Sequence, residues 1–178
     1  MFNYFRSHPR RAIGGLATIL ASVGLAVGSG ATFTSETANL NNTFTSGKLV
    51  HTNSKDGVAI VTGANLKPGD VSTGTVKIKN TGTLKGTFKL SETNASNGFG
   101  AGNLELKIED VTGATPATVY DGDLGGVAAG GIAITGDWAV GEERTYKFTV
   151  TLDENTPNAD QGKSATADYE WDEVQAAS

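Results

Sequence analysis

Polar and apolar side chains alternate without a break in the stretch Thr145-Tyr146-Lys147-Phe148-Thr149-Val150-Thr151-Leu152. Successive side chains of a β-strand point to opposite faces, so this alternation predicts a strand with one buried face and one face in water. The same alternation recurs in four other parts of the chain, at residues 74–79, 84–91, 104–109 and 165–172.

Weaker strand patterns and turn sequences fill the spaces between these strands. Glycine-rich residues 122–136 are interpreted as the least ordered part, either a mobile loop or a weak pair of strands, and no helical repeat follows residue 31. We therefore predict an all-β fold, an antiparallel β-sandwich of about eight or nine strands that is jelly-roll-like or, as the alternative, immunoglobulin-like. Further strands are predicted at 48–52, 58–62, 117–120 and 132–138, and turns at 67–70, 80–82, 94–102 and 154–162.

The first thirty residues differ from the rest of the chain. Three arginines precede an apolar run at 12–27 that ends in small residues. This order is typical of a secretory signal peptide, and the run is shorter than the roughly 20 residues of a membrane span. We predict a signal helix that is cleaved once, near Gly30 or Ala31. The alternative is an uncleaved anchor helix. The predicted parts are a signal peptide at 1–30, an N-terminal arm at 31–46 and a β-sandwich domain at 47–178.

Composition narrows the range of functions. The 178 residues include no cysteine, which excludes a disulfide scaffold, thiolate zinc sites and a cysteine nucleophile. The formal net charge is -5. Loss of residues 1–30 would remove three of the 14 basic residues and none of the 19 acidic ones, which leaves a charge of -8. An acidic domain of this kind is not suited to binding nucleic acid through its net charge.

Short motifs after the predicted signal peptide occur in a characteristic order. They are residues 31–35, residues 42–49, Asn65-Leu66-Lys67-Pro68-Gly69-Asp70, residues 79–84 and the closing Tyr169-Glu170-Trp171. Through these motifs the chain resembles the TasA/camelysin (CalY) family. The resemblance implies a jelly-roll-like sandwich, processing by a SipW-type signal peptidase, a location outside the cell or at its surface, and assembly into extracellular fibres or biofilm matrix. Some members carry the name of a cell-surface metallopeptidase.

Catalytic chemistry has few candidate residues. His51 is the single histidine after residue 30, and the sequence contains no His-Glu-x-x-His motif. A zinc peptidase site needs several imidazole or carboxylate ligands and a Glu base. We therefore predict no catalytic residues, no enzyme and no resident cofactor, and we disfavour the metallopeptidase reading. Oxygen ligands cluster at Asp153, Asn155 and Asp160, which makes these residues weak candidates for calcium.

The predicted arm suggests how copies of the chain associate. Its large apolar side chains are Phe33, Leu40 and Phe44. Burying them contributes about 1.5–3 kcal/mol each, whereas ordering each arm residue costs about 1–2 kcal/mol. The arm therefore needs backbone hydrogen bonds at a sheet edge, either in its own domain or in a neighbour, and donation to a neighbour predicts a head-to-tail homopolymer. An accessory assembly protein is a further candidate partner.

A second hypothesis belongs to a different class of function. It makes the chain a monomeric surface module that binds carbohydrate or cell wall. Its candidate stacking platforms are Tyr120, Trp138 and Trp171.

Overall fold

The computed structural model describes residues 46–177, and the predicted signal helix and arm residues 31–45 lie outside them. The described chain forms two antiparallel sheets, which confirms the all-β class. None of its helices is long and apolar enough to cross a membrane. The elements are β1 (His51–Asn53), β2 (Val71–Asn80), β3 (Gly86–Asn97), β4 (Leu104–Asp110), β5 (Ala117–Asp123), β6 (Ile132–Ala133), β7 (Glu143–Leu152), a short 3₁₀ turn (Asn158–Asp160) and β8 (Ala165–Gln175).

Within residues 46–177, the strand order is that of a jelly roll without its first strand. The five-stranded sheet has the order β1-β2-β7-β4-β5 and the three-stranded sheet has the order β6-β3-β8. The pairs β2–β7, β4–β5, β3–β6, β4–β7 and β3–β8 are all jelly-roll pairs. The remaining jelly-roll pair would join a first strand to β8. In its place, the short strand β1 pairs with β2 at the outer edge of the other sheet.

The core lies between the two sheets and consists of the apolar sets that the alternation predicts. All four apolar residues of the 145–152 stretch are buried, and their polar neighbours lie on the outer face. The most deeply buried large apolar side chains come from four strands and one loop: Val76, Ile78, Phe88, Leu90, Leu106, Ile108, Tyr146, Phe148 and, from the loop before β7, Trp138.

Four local predictions are corrected by the structure. Residues 58–62 form no strand. The predicted turn at 94–102 begins later, because β3 continues to Asn97 through a bulge between Thr93 and Ser96. Of the strand predicted at 132–138, only β6 and an isolated bridge from Gly86 to Trp138 are present. The predicted strand at 48–52 is shifted, so that β1 begins at His51.

The glycine-rich residues 122–136 are more regular than predicted. They contain the end of β5 and the whole of β6. The carboxylate of Glu92 accepts hydrogen bonds from the backbone N–H groups of Gly125 and Val127, both at 3.1 Å. This side chain fastens the loop to β3.

Candidate assembly edge

The long edge strand β8 is the most prominent unpaired feature of the described chain. Ten of its 11 residues, all except Ala167 opposite the bulge, pair with β3 on one side, and no strand among residues 46–177 pairs with its other side. An unpaired strand edge presents a row of backbone N–H and C=O groups that can accept another strand. At about 3.3 Å per residue, this edge is roughly 35 Å long.

The inner face of β8 packs against β7. Tyr169 meets Phe148 with ring centroids 4.9 Å apart, and Trp171 meets Tyr146 at 4.7 Å. The hydroxyl of Tyr169 donates to Glu92 at 3.1 Å, and burial together with this carboxylate raises the pKa of Tyr169. The strand is therefore held firmly on its paired side and inner face.

The level of Gly74 shows where a strand added to β8 would lie. Phe148 of β7, which lies under Tyr169, pairs in the next strand with Gly74 of β2. Gly74 has the same parity as the buried Val76 and so faces inward. A new neighbour of β8 would therefore run across the inner face of the first half of β2, around Gly74. A Cβ at Gly74 would collide with the carbonyl oxygen of Ile60, so residues near 60 now cover this position.

The predicted family motif forms the turn that leads into β2. Asp70 N–H donates to the Lys67 carbonyl at 2.9 Å, and the Asp70 carboxylate accepts from Lys67 N–H at 2.8 Å. Pro68 and Gly69 occupy the centre of the turn, and Gly69 has φ +87°, which favours glycine. Gly69 N–H also donates to the carbonyl of Leu152, which joins the turn to the end of β7. The motif thus joins the start of β2 to the end of β7.

The other two motif residues begin the turn. Asn65 has φ +53°, and the half-buried Leu66 packs against the core. Asn tolerates the left-handed region better than most residues, so it suits this position.

Two buried polar residues lie at the opposite end of the sandwich, and the sequence alone did not predict their burial. Asn80 is fully buried at the end of β2. Its side-chain amide donates to the carbonyl of Leu84 at 2.9 Å, and its side-chain oxygen accepts from Gly82 N–H at 2.9 Å. The Asn-Thr-Gly sequence predicts the turn, but burial of its first residue follows only from the tertiary fold.

Glu173 is the second of these residues. Its side chain is 3% exposed and lies 3.5 Å from Nδ1 of His51, the residue considered above as a zinc ligand. His51 also packs edge-on against Phe88, with ring centroids 5.4 Å apart. The pair therefore connects β1 of one sheet to β8 of the other.

The predicted calcium ligands are engaged in local hydrogen bonds. Asp153 accepts from the N–H of Asn155 at 2.7 Å. Asp160 accepts from Gly100 N–H at 3.0 Å and from the side chain of Asn103 at 2.7 Å, and these bonds lower the pKa of Asp160. Within residues 46–177, no group of three or more histidine, aspartate and glutamate side chains is placed to hold a metal ion.

The three predicted stacking platforms are not exposed aromatic faces. Trp138 is 0% exposed and Trp171 is 7% exposed. Tyr120 is half-buried, and its hydroxyl donates to the carbonyl of Asp123 at 2.7 Å. The guanidinium of Arg144 covers one face of the Trp138 ring, 4.4 Å from its centroid.

Comparison with known proteins bears on the first half of the chain. Residues 10–96 match the family described as camelysin metallo-endopeptidase, which confirms the resemblance seen in the motifs. No curated protein matches the chain.

Among solved structures, the crystal structure of Spo0M, a sporulation control protein from Bacillus subtilis, is 17% identical with a TM-score of 0.24. The match covers 74% of this chain and 49% of that one, so the chain spans about half the length of Spo0M. No strand-by-strand correspondence follows at that TM-score.

Proposed function

We propose that this chain, whose residues 10–96 match the family described as camelysin metallo-endopeptidase, is an exported structural protein that assembles into extracellular fibres. In this proposal a SipW-type signal peptidase cleaves near Gly30 or Ala31. The released arm, residues 31–46, then adds as a strand to the next copy. The product is located in the extracellular matrix or at the cell surface.

The free edge of β8 is the observation that carries this proposal. Among residues 46–177 no strand pairs with this edge, and the strand that occupies the corresponding position of a jelly roll comes first in the chain. The arm directly precedes the described residues and has about fifteen residues for an edge of 11. It therefore has the chain order and the length of the missing strand.

Energetics favour pairing at an edge over a free arm. Burial of Phe33, Leu40 and Phe44 cannot by itself offset the entropy lost when the arm becomes ordered. A ladder along β8 adds net hydrogen-bond stabilisation of about 0.5–1.5 kcal/mol for each bond. When the acceptor is the next copy, each subunit donates at one end and accepts at the other, which gives an open filament.

We also propose that the function is not enzymatic, although the family is described as a metallo-endopeptidase. The support is positive and local. Nδ1 of His51 lies 3.5 Å from the buried carboxylate of Glu173, and its ring packs edge-on against Phe88 at the junction of the two sheets. Asp160 is committed to the backbone of Gly100 and the side chain of Asn103. Each of these side chains has a role in holding the sandwich together.

Deletion of residues 31–45 tests this function. The full chain and the deletion variant are each expressed with a SipW-type signal peptidase, and the secreted proteins are imaged by electron microscopy. We expect fibres from the full chain and only monomers from the variant, with the same β-sheet circular-dichroism spectrum. A chain with residues 31–45 in scrambled order is the length-matched control. Fibres from the deletion variant would refute the proposal.

A further inference from the structure

Residues 58–66 are a strand-like segment that does not form a strand. The sequence Val58-Ala59-Ile60-Val61-Thr62 is rich in β-branched residues, which favour strands. Yet no backbone–backbone hydrogen bond joins residues 59–66 to one another or to the rest of residues 46–177. Disagreement between local propensity and the observed structure is expected at functional sites.

Burial of apolar side chains holds this segment in place. Ile60, Val61 and Leu66 are half-buried and pack against the core, while Val58 is 61% exposed. The backbone of Ile60 lies against Gly74 so closely that no side chain fits there. The segment thus covers the part of the core that a strand added to the free edge of β8 would cover.

We propose that residues 58–66 are a removable placeholder for the incoming strand. The inference rests on the proposed function, because it concerns the edge to which the arm of the next copy adds. In the single chain the placeholder shields the core beside β8. During assembly the arm displaces it and replaces a contact without backbone hydrogen bonds with a complete ladder. The placeholder must leave before the arm can pair with β8, and it therefore slows the addition of the arm.

The exchange is physically feasible because the placeholder is held by side-chain burial, whereas the arm would be held by backbone hydrogen bonds as well. Leaving the core exposes three half-buried side chains, each worth less than the roughly 1.5–3 kcal/mol of a fully buried residue. Pairing along β8 satisfies backbone groups that the placeholder leaves unpaired within the described chain. The turn at 65–70 anchors the end of the segment to β7, so the segment can swing out while β2 stays paired.

A disulfide lock tests the placeholder directly. A Cβ at Gly63 would lie 3.0 Å from the side-chain oxygen of Ser72 on β2. The Cβ atom of Ser72 is one bond farther away, which brings the two Cβ atoms into the range of about 3.5–4.5 Å that a disulfide requires. Because the chain has no cysteine of its own, the double variant Gly63→Cys/Ser72→Cys can form only this pair within one molecule. We expect the oxidised monomer to be folded and unable to form fibres, and reduction to restore fibres.

The lock separates the two proposals. If the wild-type chain forms no fibres, the proposed function fails. If wild type and reduced variant form fibres and the oxidised variant forms them equally well, the placeholder is refuted while the proposed function stands. Each variant is expressed as the full chain with a SipW-type signal peptidase and recovered from the medium.

Gly74→Ala supplies the opposite perturbation. The added methyl group displaces Ile60, so we expect faster amide exchange at residues 59–66 and a shorter lag before fibres appear. Gly130→Ala is the control, because a Cβ at that position meets no other atom within 4 Å. An unchanged lag in Gly74→Ala, despite faster exchange, would contradict the placeholder.

Discussion

We expect Ala167→Lys to abolish fibre formation and to leave the sandwich folded. Ala167 is half-buried on the inner side of β8, the strand with the unpaired edge. An inward-pointing charge on an edge strand prevents the addition of another strand, because pairing would bury the charge. In the single chain the lysine ammonium can still reach water along its flexible stem. Electron microscopy and sedimentation measure the loss of fibres, and circular dichroism measures the fold.

Ala117→Lys is the matched control for this experiment. Ala117 is exposed at the start of β5, an edge strand of the five-stranded sheet. The same substitution on this edge should leave fibres at the wild-type level. If Ala117→Lys stops assembly and Ala167→Lys does not, the acceptor edge is β5 and the assignment to β8 is wrong.

Trp138→Ala should cost about 3–5 kcal/mol of the free energy of unfolding, the usual range for truncating a buried tryptophan. The Trp138 ring is fully buried. It packs on Phe88 with centroids 4.2 Å apart, and the guanidinium of Arg144 lies over the ring, 4.4 Å from its centroid. Truncation therefore leaves a cavity between the sheets and removes a cation–π contact. Urea unfolding followed by circular dichroism measures the effect.

Trp138→Phe distinguishes packing from hydrogen bonding at this site. The indole N–H of Trp138 has no hydrogen-bond partner in the described chain. Losing it should cost little, and Phe should retain much of the packing. We therefore expect Trp138→Phe to unfold at a urea concentration between those of wild type and Trp138→Ala. Wild-type stability of Trp138→Ala would mean that the ring is not a core residue and would return it to the candidates for an exposed stacking platform.

The sequence predicts those strands that have one face in the core and the other face in water. Strict alternation in 145–152 locates β7, and each apolar residue of that stretch is buried. Residues 58–62 are also rich in strand-forming residues, but no strand of the described chain pairs with them. Trp138 reaches the core from a loop, where no periodic pattern marks it. These two features depend on tertiary context, which a single strand pattern does not contain.

The candidate site was only partly predictable for a related reason. Alternation in 165–172 predicts β8 as a strand, whereas its position at a sheet edge depends on the order of all eight strands. The Lys67-Pro68-Gly69-Asp70 sequence predicts its own turn, because proline and glycine there have the required backbone angles. From the sequence alone, Gly74 is only a glycine that weakens a strand. The structure shows that the backbone of Ile60 lies against it and leaves no room for a side chain.

Intermolecular cross-linking of the arm to β8 tests the central proposal most directly. One copy carries a cysteine in place of Phe33, Leu40 or Phe44, a second, tagged copy carries Ala167→Cys, and the two are mixed before assembly and oxidised in the fibre. Since the natural chain has no cysteine, a disulfide between tagged and untagged chains reports contact between the arm of one copy and β8 of another. We expect this mixed dimer from at least one of the three arm positions. Fibres that yield none from any of them would contradict donation of the arm to β8.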